Sequence, residues 1–150
     1  MKVGISWAGG AASTGGADRS IPLEQWSTVL KMPNCHFISL QYGDAALDRQ
    51  SITTPLHHWQ DAMTDFDEKA ALVCALDLVI SVQTALVHLA GALGRPVWML
   101  VQAACEWRYG TTGETMPWYP GVRLIRQQRP HEWAPVLQRV GHELAKLAAG

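Results

Sequence analysis

Thr84 and His88 stand one helical turn apart, directly after the apolar run Leu78-Val79-Ile80-Ser81-Val82 and its successor Gln83. A strand that runs straight into a helix leaves the first helical N–H groups without intrahelical acceptors. It also places the positive end of the helix dipole there, which suits an anion such as phosphate. Thr84 is positioned to cap that helix, and His88, on the same face, can donate to a bound oxyanion or a sugar hydroxyl. The plainer alternative is a histidine packed between helix and sheet.

Such residues need elements that hold them, and the chain supplies alternating ones. Lys2 to Trp7 reads as a buried strand followed by a long glycine-rich loop from Ala8 to Gly16. Ser20-Ile21-Pro22-Leu23-Glu24 opens a helix carried by Trp26, Val29 and Leu30 and stopped by Pro33. His36-Phe37-Ile38-Ser39-Leu40 is a second strand, and a weak further strand is expected from Ser51 to Pro55. Asp65-Phe66-Asp67-Glu68 has the form of a capping box, with a helix through Leu76. After the run at Leu78, the helix from Thr84 to Leu93 ends at Gly94, and Pro96 forbids continuation. Val97-Trp98-Met99-Leu100-Val101 and Val122-Arg123-Leu124-Ile125 are the remaining strands. Glu132 to Ala148 is a closing amphipathic helix through Trp133, Val136, Leu137, Val140, Leu144 and Leu147.

Strands alternating with helices, two of the strands being uninterrupted apolar runs, specify an α/β fold: a Rossmann-like, doubly wound parallel sheet. In such a sheet ligands bind outside the carboxyl ends of the strands, near the switch in strand order. This directs attention to four loops, carrying Trp7 to Arg19, Gln41-Tyr42, Gln83-Thr84, and Gln102 to Trp118. Two other phosphate motifs fail. The stretch Gly10-Ala11-Ala12-Ser13-Thr14-Gly15-Gly16 has the glycine spacing of a P-loop, but Gly16 and Ala17 stand where Lys and Ser or Thr are needed. G-x-G-x-x-G does not follow the first strand, so a nicotinamide-binding unit has no support. His57-His58 lacks the rest of a metal site and reads as a solvated loop.

With 150 residues, 48% of them hydrophobic and 17% charged, the chain suits one core, taken as a single domain over 1–150. A net charge of −1 with no basic stripe argues against nucleic acid or an acidic membrane as partner. Three widely spaced Cys without C-x-x-C pairing suggest a reducing, cytoplasmic setting and no structural zinc. The N-terminus encodes neither a signal peptide nor a membrane span. Seven Trp is a high number for this length, and those in Gly- and Pro-rich segments, Trp7, Trp107 and Trp118, either plug gaps between loop and core or line a cleft.

The block from Leu76 to Trp98, with Gln83-Thr84-Ala85 and His88 at its centre, closely resembles bacterial glycosyltransferases of the heptosyltransferase-like group, family 9. That group includes many members carrying tetratricopeptide repeats before the transferase region. Flanking segments agree in order: Val3 to Gly9 with Arg19 to Leu23, Phe37 to Gln41, Asp65-Phe66 with Ala70 to Leu72, Trp107-Arg108, and Pro117 to Pro120 with Arg123-Leu124.

The resemblance implies one half of a two-domain GT-B fold, the half that binds a nucleoside diphosphate sugar donor, with no metal or other cofactor. The acceptor-binding N-terminal half is absent, so a further domain or second subunit is an expected partner. Carried over by position, Ser6, Gly9, Arg19, Gln83, Thr84, Ala85 and His88 would meet the diphosphate or sugar, and Gln41 or Tyr42 the ribose or base. Relatives usually have Asp where this chain has Gln83. An amide offers one acceptor and two donors and cannot act as a base. No catalytic residue is assigned, and a non-catalytic nucleotide-binding or interaction module is the alternative.

Overall fold

Residues Leu78–Val82 form a strand buried along its whole length, the state that a continuous apolar run requires of a strand covered on both faces. The computed structural model describes residues 1–10, 13 and 15–150, with the backbone alone of residues 44 and 45. Ala11, Ala12 and Thr14, the middle of the stretch with P-loop-like glycine spacing, therefore lie outside the described residues.

The strands are β1 (Lys2–Ser6), β2 (His36–Ser39), β3 (Leu78–Val82), β4 (Val97–Val101) and β5 (Val122–Arg126). They lie side by side in the order β2-β1-β3-β4-β5, every neighbouring pair parallel. Helices α1 (Ser27–Leu30), α2 (Gln60–Thr64), α3 (Phe66–Cys74), α4 (Ala85–Ala92) and α5 (Ala134–Ala149) connect or close them. The fold is thus the expected α/β one, with a five-stranded parallel sheet.

Side-chain alternation along the strands feeds two cores. Leu78, Ile80 and Val82 join Val29, Val136, Leu137 and Val140 on the face covered by α1 and α5. Val79, Met99 and Leu124 join Val73, Leu86, Val87 and Ala90 on the face covered by α3 and α4. Each fully buried aliphatic contributes about 1.5–3 kcal/mol by leaving water, so the sheet is fixed from both sides. Gly4 sits where the second core is tightest: a Cβ there would lie 2.5 Å from both Leu40 Cδ1 and Leu76 Cδ1.

The punctuation signals act as chemistry requires. Asp65 caps α3 by accepting from the Asp67 and Glu68 amides, at 2.8 and 2.9 Å. The reciprocal half of the box does not form, because the Asp65 amide donates instead to Asp61 O and closes α2. Gly94 takes φ +68 after α4, and the Gly94 and Arg95 amides satisfy the carbonyls of Gly91 and Ala90.

Three expectations shift. Leu23–Trp26 is a 3-10 turn before the short α1, with Pro22 at its N-cap position, while the Ser20 hydroxyl accepts from the Gly9 amide and donates to Gly16 O instead of capping a helix. The weak strand at Ser51 to Pro55 is not one: Asp44–Ser51 is a 3-10 helix, and the sheet edge gains only a single bridge, Ile38 to His57. Ile52 is extended, but the edge strand is offered no ladder there. At the chain's end, Leu147 leaves the apolar face of α5 and is 51% exposed.

Replacing Ile80 by Ala should cost about 2–5 kcal/mol in urea unfolding, since it empties space at the centre of the sheet. Replacing Leu147 by Ala should cost less than about 0.5 kcal/mol. Equal losses would contradict this packing.

Candidate functional site

The order β2-β1-β3 places a switch point between β1 and β3, where successive connections leave toward opposite edges of the sheet. A cleft of about 280 Å³ opens there. Its walls come from the strand-end loops: Gly10 and Arg19 after β1, Tyr42 after β2, Gln83, Thr84, Ala85 and His88 at the β3–α4 junction, and Glu106, Arg108 and Tyr109 after β4.

Thr84 is the N-cap residue of α4, yet its side chain caps nothing. The hydroxyl lies instead 3.2 Å from Ser81 Oγ. Among the described residues no side chain caps the amides that open α4, which keeps the positive dipole end available. Beside them Gln83 is only 4% exposed, and its Oε1 accepts from the Gln102 amide at 3.1 Å. That bond fixes which way the amide group points. Gln83 Nε2 is then a buried donor without a hydrogen-bond partner among the described residues, a state that costs free energy until an acceptor arrives.

His88 is partly buried, and desolvation, followed by the positive charge of Arg108, lowers its pKa below the ordinary histidine value, with Glu106 acting in the opposite sense. The imidazole is neutral at neutral pH. Its Nε2 lies 3.4 Å from the Tyr109 hydroxyl, and its ring meets that of Tyr119 edge-on with centroids 5.8 Å apart. Burial, then the negative charge of Glu106, raises the pKa of Tyr109, so the phenol stays protonated and can donate. Glu106 bridges two guanidiniums: Oε1 lies 3.8 Å from Arg19 Nη1, and Oε2 pairs with Arg108 Nη2. Among the described lining residues, two guanidiniums thus face one carboxylate, and the cleft favours an anion.

Ser6, Gly9 and Gln41 stand behind the cleft rather than on its wall. Gln41 is 2% exposed, and its Oε1 accepts from Ser6 Oγ at 2.9 Å and from the Trp7 and Ala8 amides, each at 3.0 Å. One side-chain carbonyl thereby ties the end of β2 to the end of β1. Gly9 lets the loop fold back on itself: a Cβ there would lie 2.6 Å from Arg19 Cγ and 2.7 Å from Gly16 O. Arg19 is held close to the loop backbone as a result. Tyr42 does reach the cleft, with the Lys69 ammonium 5.2 Å from its ring centroid.

Glu106 and Tyr109 are lining residues that motif reading does not single out, whereas Arg108 falls in the Trp107-Arg108 segment of the resemblance without a role assigned to it there. They lie around a short 3-10 turn, Trp107–Tyr109, where no periodicity betrays them. For Glu106 and Tyr109 the sequence signal is their place in a strand-end loop. His57 is exposed and His58 half-buried; the His57 amide donates to Phe37 O, and His58 Nδ1 lies 3.1 Å from Ser39 Oγ. A wider groove of about 650 Å³ runs between α1 and the start of α5, past Gln25, His131 and Gln138. It lies away from the β1/β3 switch point and joins none of the groups above.

Comparison with known proteins agrees with this fold. The sequence profile of glycosyltransferase family 9 (heptosyltransferase) matches residues 44–136. Protein FlbA of Caulobacter vibrioides is 36% identical over 156 aligned residues, covering 99% of this chain and 26% of that protein. The structure of E. coli ADP-heptose LPS heptosyltransferase II superimposes with a TM-score of 0.66 at 18% identity, covering 99% of this chain and 46% of that one. At that identity the likeness speaks for the fold. The chain spans about a quarter of the length of FlbA and less than half of the solved transferase.

Gln41→Ala should lower stability by about 2–4 kcal/mol, because three donors lose one buried acceptor. The Trp7 and Ala8 amides should then exchange with solvent faster. A loss below about 0.5 kcal/mol with unchanged exchange would show that Gln41 is not the tie.

Proposed function

Because this chain belongs to glycosyltransferase family 9 (heptosyltransferase), we propose that it is the part that binds a nucleoside diphosphate sugar, with the diphosphate at the start of α4. The observation that carries this reading is the convergence of unsatisfied donors. The uncapped amides of α4 and the partnerless Nε2 of Gln83 meet at a cleft rimmed by Arg19 and Arg108. Tyr42, on the β2 side, would face the base. The Gln41 carbonyl is engaged by three donors and its Nε2 donates to Ala8 O and Tyr42 O, so Gln41 serves the base side by holding the loop rather than by touching the ribose.

In glycosyl transfer the bond from the anomeric carbon to the diphosphate oxygen breaks, and the diphosphate leaves with the electron pair. The acceptor oxygen bonds the anomeric carbon and its proton passes to a base. Helix amides and guanidiniums fixed in advance stabilise the charge as it develops on the leaving group, without a metal. No lining carboxylate among the described residues is suited to be the base, and the neutral imidazole of His88 has its Nε2 turned to the Tyr109 hydroxyl, 3.4 Å away. Glu106 is ion-paired with Arg19 and Arg108, and Gln83 is an amide. The base and the acceptor site would come from a further domain or subunit. The same feature favours a second reading, a module that binds the nucleotide without transferring it. Gln83→Asp in the whole protein separates the two, since transfer that appears only in the variant marks the natural site as non-catalytic.

Calorimetric titration with ADP, UDP, GDP and their sugars should show at least one specific binder, weakened about tenfold or more by Arg19→Ala. Absence of binding to all of them would overturn the reading.

Protonation supplies a separate check. A bound anion favours the charged imidazole, so the pKa of His88 rises in the complex from its lowered value in the free protein. Proton uptake then accompanies binding between those two values, and affinity grows as pH falls through that window. Relative to His88→Gln, the unsubstituted chain should therefore gain affinity from about pH 8 to about pH 5.5, the ligand's own titration cancelling in the ratio. A flat ratio would remove His88 from the site.

A further inference from the structure

Trp107 and Trp118 are 84% and 59% exposed, although indoles are among the side chains with most to gain from burial. Both line a cleft of about 500 Å³ together with Tyr119, and its polar wall is His88 and Arg108. These last two residues also line the diphosphate cleft, so the two spaces are continuous. The aromatic wall is built rather than incidental. Tyr119 rests on α4 at Gly91, where a Cβ would lie 2.6 Å from the Tyr119 Cγ, and its ring meets His88 edge-on.

The geometry points to a carbohydrate-ring subsite in this second cleft, a step that rests on the diphosphate reading above. Tyr42 lies on the β2 side of the strand ends, Arg19 and Thr84 in the middle and Trp107 in the loop after β4, while Trp118 and Tyr119 continue from there along α4, just before β5 begins. A nucleoside diphosphate sugar is linear, so a diphosphate in the middle sends its base to one side and its glycosyl group to the other. Two flat apolar faces beside an imidazole and a guanidinium suit a ring with C–H faces and a rim of hydroxyls. The volume is in the ordinary range of small-ligand sites, about 300–1,000 Å³. Aromatic side chains with Arg also make protein-docking cores, so what favours a sugar here is that His88 and Arg108 are shared with the neighbouring anion cleft. The ring belongs either to the donor's transferred glycosyl group or to the acceptor's sugar, and the chemistry of recognition is the same.

The test compares this chain with Trp107→Ala and Trp118→Ala, both at exposed positions where folding should persist, as thermal midpoints verify. Three pairs are titrated, UDP with UDP-glucose, ADP with ADP-glucose and GDP with GDP-mannose, and methyl glycosides of glucose, mannose and N-acetylglucosamine are added with and without the best nucleotide. If the ring is the donor's, the sugar nucleotide binds about tenfold more tightly than its parent diphosphate, and either substitution removes that increment while leaving the diphosphate within about twofold. If it is the acceptor's, a methyl glycoside binds and quenches indole fluorescence, and the substitutions abolish this. Should no nucleotide bind while a methyl glycoside does, the diphosphate reading fails and the sugar subsite stands. Equal weakening of diphosphate and sugar nucleotide would place the base on the indoles and overturn the proposal. No effect on any probe would overturn it too, leaving the indoles as a surface for another domain.

Discussion

Among the described residues no side chain caps the amides that open α4, because the Thr84 hydroxyl turns toward Ser81 rather than back over the first turn. Everything else around the cleft follows from leaving that helix end open. β3, buried on both faces, cannot move, so it aims the helix start at one point beyond the sheet. Strand order then puts the loop after β1 on the other side of that point, and that loop must be held near without filling it. Gln41 holds its beginning through three hydrogen bonds, and Gly9 allows it to double back close to Arg19. Two residues that resemblance assigns to the ligand thus act in the structure on the loop that faces it.

The electrostatics of the cleft are balanced between preorganisation and repulsion. Two guanidiniums held side by side would repel each other in an empty site, and Glu106 between them reduces that cost. His88 contributes no charge when neutral, which spares the free protein a third cation beside Arg108. The same arrangement allows charge to be added when an anion arrives. Gln83 fits this design as a donor: its carbonyl is fixed by the Gln102 amide, and the group that remains can only give a hydrogen bond. An ionised Asp could only accept there, next to the same anion.

The central unit was legible residue by residue. An apolar run, a capping position, a Gly and a Pro bound β3, α4 and β4 almost to the residue, since local chemistry and sheet burial agree there. Ile52-Thr53-Thr54 misled because β-branched residues favour extended backbone, and Ile52 is extended, yet a strand also needs a partner edge. Thr84, Ala85 and His88 were readable as a helix start. Glu106 and Tyr109 were not, and Arg108 was only as part of a loop segment, because their approach depends on how an irregular loop crosses the sheet's end. Of the seven Trp, Trp7, Trp26 and Trp133 fill the core, whereas Trp107 and Trp118 line a cleft. Composition alone could not separate these fates.

The most direct test of the open helix end is an amide NMR titration of this chain with the nucleoside diphosphate that binds it most tightly. The largest shifts should fall on the backbone amides of Ala85 and Leu86 and on the side-chain amide of Gln83. Shifts confined to the groove between α1 and α5, around His131 and Gln138, with those amides unmoved, would contradict it.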